Sequence, residues 1–271
     1  MILAIPSPLG VALGIAAAAA YAATAALSSR LERPATQGLL GLAWLLHALV
    51  LGASLVGDVP RFGFAPALSI TAWLVLTVYA VESRLYPQLR VRRVLAALGA
   101  LAVLLALLFP GSPLHVSASP WLPLHLALGI ASYGLFAAAV VHAWLISRAE
   151  KQIRGAALES QGSGVPLLTL EKLTFRFVTA GFVLLSATLL AGLFFSETLY
   201  GAADRAAKWN HKTLFSVLAW LTFAILLTGR VRFGWRGRKA RRVLYAGSAL
   251  LLLAYVGSRF VLEVVLRRPL P

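Results

Sequence analysis

The sequence has no cysteine, one methionine and only nine acidic residues among 271. Without cysteine it has no disulfide, no CxxC redox pair and no thiolate metal site. Any thiol chemistry linked to its function therefore belongs to a partner. Charge is scarce as well: 13% of residues are charged, against roughly 25% in soluble domains. Hydrophobic residues make up 60%, and mean hydropathy is +0.83. These values exclude an ordinary cytosolic globule and a disordered chain. There is no HExxH, P-loop or GxSxG motif, so no zinc-protease, nucleotide-phosphate or serine-hydrolase signature.

What the chain does have is a series of long apolar runs. A membrane helix needs roughly 17–25 mainly apolar residues. Eight stretches meet or approach that length: about Leu9–Leu27, Leu39–Val56, Ala65–Val81, Val94–Phe109, Trp121–Ile146, Phe175–Phe195, Leu214–Thr228 and Val243–Leu262. The fourth and seventh are the shortest and need their flanks to span. The expected fold class is all-α, a polytopic integral membrane bundle of about eight transmembrane helices. Residues 1–271 form a single transmembrane domain in this reading. No acidic residue falls mid-span, which agrees with the cost of an ionised carboxylate in hydrocarbon. The first stretch does not read as a signal peptide, because no basic residue precedes it and Tyr21 and Thr24 lie within it.

The basic residues order these helices. Lys and Arg total 25 against nine acids, for a net charge of +16. Seventeen of them fall in alternate loops, after the first, third, fifth and seventh stretches, and six fall in the other loops and at the C-terminus. Cytoplasmic loops carry the excess of Lys and Arg, so the first set is expected inside and both termini outside. Topology thus accounts for most of the +16, and no nucleic-acid partner is implied. Membrane lipid is the expected surrounding. The longest loop, about Ser147–Thr174, starts with charged residues and then breaks at Gln161–Pro166.

Chemistry rests on five histidines: His47, His115, His125, His142 and His211. Neutral imidazole is a common ligand of metals and haem iron. His125 near the start of the fifth helix and His211 just before the seventh share the outer side, with His115 in a loop on that side. His142 follows His125 by 17 residues, about 25 Å of helix rise, so those two do not serve one site. His142 is expected beside Trp144 at the headgroup region. His47 lies near mid-membrane, where an ionisable group is a functional candidate; the alternative is a local hydrogen bond across a helix interface. Trp121 and Trp209 offer flat apolar surface near His125 and His211, and Lys208 and Lys212 offer cations. An amphipathic macrocycle with two carboxylates wants that combination.

The second half also carries an ordered series of short motifs. They are Trp121-Leu122-Pro123-Leu124-His125 with Ala131-Ser132-Tyr133, then Glu171-Lys172-Leu173-Thr174-Phe175-Arg176 with Gly181-Phe182. Leu190-Ala191-Gly192, Lys208-Trp209-Asn210-His211-Lys212, Trp235-Arg236-Gly237-Arg238-Lys239-Ala240 and Tyr255–Gly257 follow. In this order they resemble the cytochrome c assembly proteins of the CcsA/CcmC/HemX group, and most of all the YpjD-type inner-membrane branch. The resemblance covers residues 121–262, whereas residues 1–110 match in hydropathy and helix count.

The resemblance implies a multi-pass protein of the bacterial inner membrane that holds haem on the outer face. Its partners would be cytochrome c biogenesis subunits or apocytochrome c. His125 would be an axial ligand and Trp209 part of the haem platform. Asn210 stands where the full synthase motif has an aspartate, Thr228 replaces a family histidine, and no histidine follows His211. Our own addition is that His211 serves as the second outer ligand. The expected site is thus His125, His211, Trp209, Trp121, Lys208, Lys212 and His47, with haem iron on His125 and His211. No catalytic constellation is complete, so the reading is an accessory or regulator that handles haem, in preference to a full synthase. The alternative is a small-solute transporter or a structural membrane subunit without haem.

Overall fold

A computed structural model describes residues 8–56, 61–86, 89, 91–113, 121–155, 166–194 and 211–266. Among these residues the chain forms helices α1 (Pro8–Leu27), α2 (Arg33–Val56), α3 (Phe64–Leu85), α4 (Arg92–Leu108), α5 (Leu122–Gly155) and α6 (Leu167–Phe194). It continues as α7 (His211–Phe233) and α8 (Gly237–Val265). Two-residue strands β1 (Arg61–Phe62) and β2 (Ser112–Pro113) pair antiparallel. The polytopic helical class expected from hydropathy is what the chain adopts. Seven of these helices are long and apolar enough to cross a membrane. The eighth, α4, has 17 residues, about 25 Å of rise, at the short end of the spanning range.

Several helices outrun their apolar stretches. Helix α5 continues past Ile146 to Gly155, α6 begins at Leu167 instead of Phe175, and α7 runs from His211 to Phe233. Hydropathy marks the part of a helix that touches acyl chains. Backbone hydrogen bonding does not stop at that boundary, so charged turns extend the helix into the headgroup layer.

The chain divides into two compact units, one of Met1–His115 with Arg259–Pro271 and one of Val116–Ser258. In the first unit α1 and α4 run antiparallel at close range. A Cβ at Gly99 would lie 3.3 Å from the Tyr21 ring, and one at Gly14 would lie 2.6 Å from a Leu107 methyl. Helix–helix association in lipid relies on such small residues, because lipid tails already solvate apolar surface. Trp44 and Trp73 stack at 5.0 Å between α2 and α3, with Trp44 Nε1–H donating to Thr77 Oγ1 at 2.8 Å.

The second unit is a four-helix bundle of α5, α6, α7 and the first part of α8. Its core holds Phe136, Ala139 and Ala143 of α5, Val178 and Leu185 of α6, and Ala219, Phe223 and Leu226 of α7. Helices α5 and α6 are antiparallel in strict register: Phe136 meets Gly181, Gly129 meets Thr188 and His125 meets Gly192. Phe136 and Phe223 stack with ring centroids 3.8 Å apart and planes 7° from parallel. Phe223 lies against Gly247 of α8, where a Cβ would fall 2.8 Å from its Cε1. Helix α8 changes to π-helical winding over Leu253–Gly257. The Tyr133 hydroxyl donates to the Leu251 carbonyl just before this turn.

Candidate functional site

The second unit has two chemically different ends. The first carries His125 and His211. His125 is the fourth residue of α5, half-buried, and its Cε1 would sit 3.6 Å from a Cβ built on Gly192. That is ordinary contact distance, so the imidazole rests directly on the α6 backbone. His211 is the first residue of α7 and is exposed.

The aromatic stack sets the relative level of these two residues. His125 precedes Phe136 by 11 residues and His211 precedes Phe223 by 12, about 16 and 18 Å of helix rise respectively. Phe136 and Phe223 touch, and the chain runs from histidine to phenylalanine in the same direction on both helices. The two imidazoles therefore belong to the same end of one bundle. Trp121, one residue before α5 and 60% exposed, and the half-buried Lys212 lie at that end as well. Trp209, Lys208, Asn210 and His115 lie outside the described residues. No group of three or more His, Asp or Glu placed to hold a bare metal ion occurs among the described residues. The donor set at this end fits haem: imidazole nitrogen for the iron, indole surface for the macrocycle and an ammonium for a propionate.

His47 belongs to the first unit and is completely buried. Its Nε2 lies 2.8 Å from Ser69 Oγ, and its Nδ1 lies 3.3 Å from the Tyr21 hydroxyl. Both contacts fit a neutral ring, with Tyr21 O–H donating to Nδ1 and Nε2–H donating to Ser69. Of the two readings weighed for His47, the hydrogen bond across helix interfaces is the one with partners in place.

His142 departs from expectation. It is 3% exposed, packs against Phe177 and has Nδ1 at 2.8 Å from the Ala138 carbonyl. The residue thus faces α6 inside the bundle instead of turning outward beside Trp144. A sequence signal existed: His142 is adjacent to Ala143 and one helical turn from Ala138 and Ala139, which are all core positions.

The other end of the second unit is built from ion pairs that hydropathy does not reveal. Arg241 makes two 2.8 Å bonds to Glu150, one to each carboxylate oxygen. Arg230 bonds to Glu171 and lies over the Phe175 ring. Helices α5 and α6 thereby each hold one arm of the α7–α8 hairpin. The hairpin turns at Gly234 and Gly237, with φ of +62° and +59°, in the region glycine adopts without a Cβ clash. Trp235 packs on Gly229 and receives Lys239 on its ring face. These clamps fix the distal end of the helices that carry His125 and His211.

Comparison with known proteins gives a consistent family. A model of the family described as Cytochrome C assembly protein matches residues 34–266. Inner membrane protein YpjD of Escherichia coli (strain K12) is 27% identical over 231 residues, covering 83% of this chain and 85% of its own. Cytochrome c biogenesis protein CcsA of Parasynechococcus marenigrum (strain WH8102) is 26% identical over 266 residues, covering 86% and 85%. The CcsA of Cyanophora paradoxa is 33% identical over 88 residues, 32% of this chain and 26% of its own. No solved structure matches. The family match begins at residue 34, so the likeness extends well into the first half, beyond shared hydropathy and helix count. With its spanning helices, the chain is a multi-pass inner-membrane protein. It belongs to the cytochrome C assembly protein family.

Proposed function

We propose that this protein serves cytochrome c biogenesis by holding haem at the histidine end of its second unit, as an accessory or regulatory factor. The observation that carries the reading is the shared level of His125 and His211 on helices pinned together by the Phe136–Phe223 stack. The family itself supports the link to cytochrome c assembly. Bound there, haem would supply an iron that imidazole nitrogen can ligate. The chain's own residues do the rest. His125 offers a ring oriented by its seat on Gly192, His211 offers an accessible ring, Trp121 covers apolar surface, and Lys212 pairs with a carboxylate. Trp209 and Lys208 extend the same surface in this reading. His47 keeps a hydrogen-bonding role in the first unit, because ligation would cost its contact with Ser69.

The charge distribution supports an orientation with both termini and the histidine end outside, where cytochrome c receives its haem. The absence of cysteine restricts the chain to the haem side of assembly, with thiol chemistry left to partners. The incomplete ligand pattern is why an accessory role is preferred over a full synthase. Apocytochrome c or other biogenesis subunits are the proposed partners.

An absorption spectrum of the detergent-purified protein, with and without dithionite, tests this reading. A Soret band that disappears in His125→Ala and His211→Ala, and persists in His47→Gln, is the expected result. Protein that stays colourless when produced with excess haem refutes haem handling and leaves a structural membrane subunit.

A further inference from the structure

The hairpin between α7 and α8 holds seven basic residues between Arg230 and Arg242. The structure sorts them into two classes. Arg230 and Arg241 point inward onto Glu171 and Glu150. Arg232, Arg236, Arg238, Lys239 and Arg242 remain on the outside. Of these, Arg236 reaches Glu171 only at 3.9 Å with its side chain 66% exposed, and the Lys239 ammonium lies 3.9 Å from the centre of the Trp235 ring. Glu171 and Glu150 are thus engaged in internal clamps. Five cations within eleven residues face outward, with no carboxylate of the hairpin itself to offset them.

The surroundings of the patch identify the counter-surface. Val231 and Phe233 flank Arg232 in sequence and are 82% and 73% exposed. Two large apolar side chains so exposed at the end of a helix long and apolar enough to span suit an apolar surrounding better than water. Arg232 between them extends to the phosphate level by snorkelling. The remaining four cations follow within the next ten residues. Arg148 over Trp144 repeats the arrangement on the end of α5, a cation above an aromatic of the interfacial belt.

We infer that the α7–α8 hairpin is a binding surface for anionic phospholipid, with Arg232, Arg236, Arg238, Lys239 and Arg242 contacting lipid phosphates. The inference is independent of haem. Its physical basis is charge complementarity between five outward-facing cations, with no carboxylate in the hairpin itself, and an anionic headgroup layer. A polybasic segment next to a membrane gains roughly 1 kcal/mol per Lys or Arg from anionic lipid.

The test uses the full chain in nanodiscs of phosphatidylcholine containing a minor fraction of phosphatidylglycerol. After extraction, the lipid retained on the protein is counted by native mass spectrometry. The expected result is enrichment of phosphatidylglycerol over its bulk fraction. That enrichment should largely disappear when the extraction is done at about 1 M salt, where the screening length is about 3 Å. The triple variant Arg232→Gln/Arg238→Gln/Arg242→Gln should lose about 10-fold or more of the enrichment, with an unchanged thermal midpoint. Arg241→Gln should do the reverse, lowering the midpoint and leaving the enrichment intact. Enrichment that resists salt in the unmodified protein overturns the inference, as does enrichment that survives the triple substitution. Preferential capture of a single-stranded oligonucleotide over phosphatidylglycerol vesicles reassigns the surface to nucleic acid and also overturns it.

Discussion

The Phe136–Phe223 stack places both histidines at one level, so its removal is the most informative single perturbation. Phe223 is completely buried, stacked on Phe136 and seated against Gly247. In a soluble core, Phe→Ala costs about 3–5 kcal/mol, part transfer free energy and part cavity. Here the transfer part is largely absent, because the alternative environment is lipid and is as apolar as the core. The cavity part remains. Removing about 100 Å³ of ring at about 24 cal/mol per Å³ gives about 2.4 kcal/mol. Phe223→Ala should therefore destabilise the purified protein by about 2–3 kcal/mol, read from the loss of helical circular dichroism during titration with a denaturing detergent. Gly247→Val tests the same contact from the other side. A Cβ alone would come 2.8 Å from Phe223, and overpacking of this kind costs about 1–3 kcal/mol. In the Phe223→Ala background the added methyls enter the vacated space, so the double variant should be more stable than the sum of the singles predicts. Strict additivity, or a loss below about 0.5 kcal/mol for Phe223→Ala, would show that the stack does not hold the bundle together. The reasoning about histidine level would then fall with it. If the stack does set that level, Phe223→Ala should also weaken haem retention without removing either ligand.

Three further outcomes follow from the same geometry. A double-mutant cycle on Glu150→Gln and Arg241→Gln should give a coupling of about 1–3 kcal/mol, above the surface-pair range of about 0–1 kcal/mol, because Arg241 is 11% exposed and bound at both carboxylate oxygens; additive single effects refute a clamp. Tyr133→Phe removes the donor to the Leu251 carbonyl and should cost about 1 kcal/mol in the same detergent titration, with no change expected if that carbonyl is satisfied otherwise. Alkaline phosphatase fused after the C-terminus should be active and a fusion within the α7–α8 hairpin inactive, and the opposite pattern would invert the proposed orientation.

The sequence was a good guide to the number and order of the helices and a weaker guide to their ends. All eight apolar stretches correspond to helices, because hydrocarbon forces the backbone to satisfy its own hydrogen bonds. The ends of α5, α6 and α7 escaped hydropathy because polar residues continue a helix that no longer touches acyl chains. At the candidate site, His125 and His211 were visible as residues and as a motif likeness. Their common level was legible only as far as topology allowed. The contact of His125 with Gly192 was not legible, since it depends on the register of α5 against α6. His142 was misplaced because one histidine near a helix end reads the same whether it faces lipid or a neighbouring helix. Neighbouring alanines were the only clue.

Composition and the spacing of apolar runs alone determined that this chain is a multi-pass membrane protein, and that it has no thiol chemistry of its own. Those conclusions follow from solvation and residue counts, which need no knowledge of contacts. Tertiary structure decided which polar groups are spoken for. His47 is bonded on both nitrogens, Arg230 and Arg241 are turned inward onto Glu171 and Glu150, and five neighbouring cations stay on the exposed face. In sequence these residues are simply histidine and arginine. Only the packing of helices distant in the chain determines whether such a group closes a gap inside the bundle or is presented to a ligand.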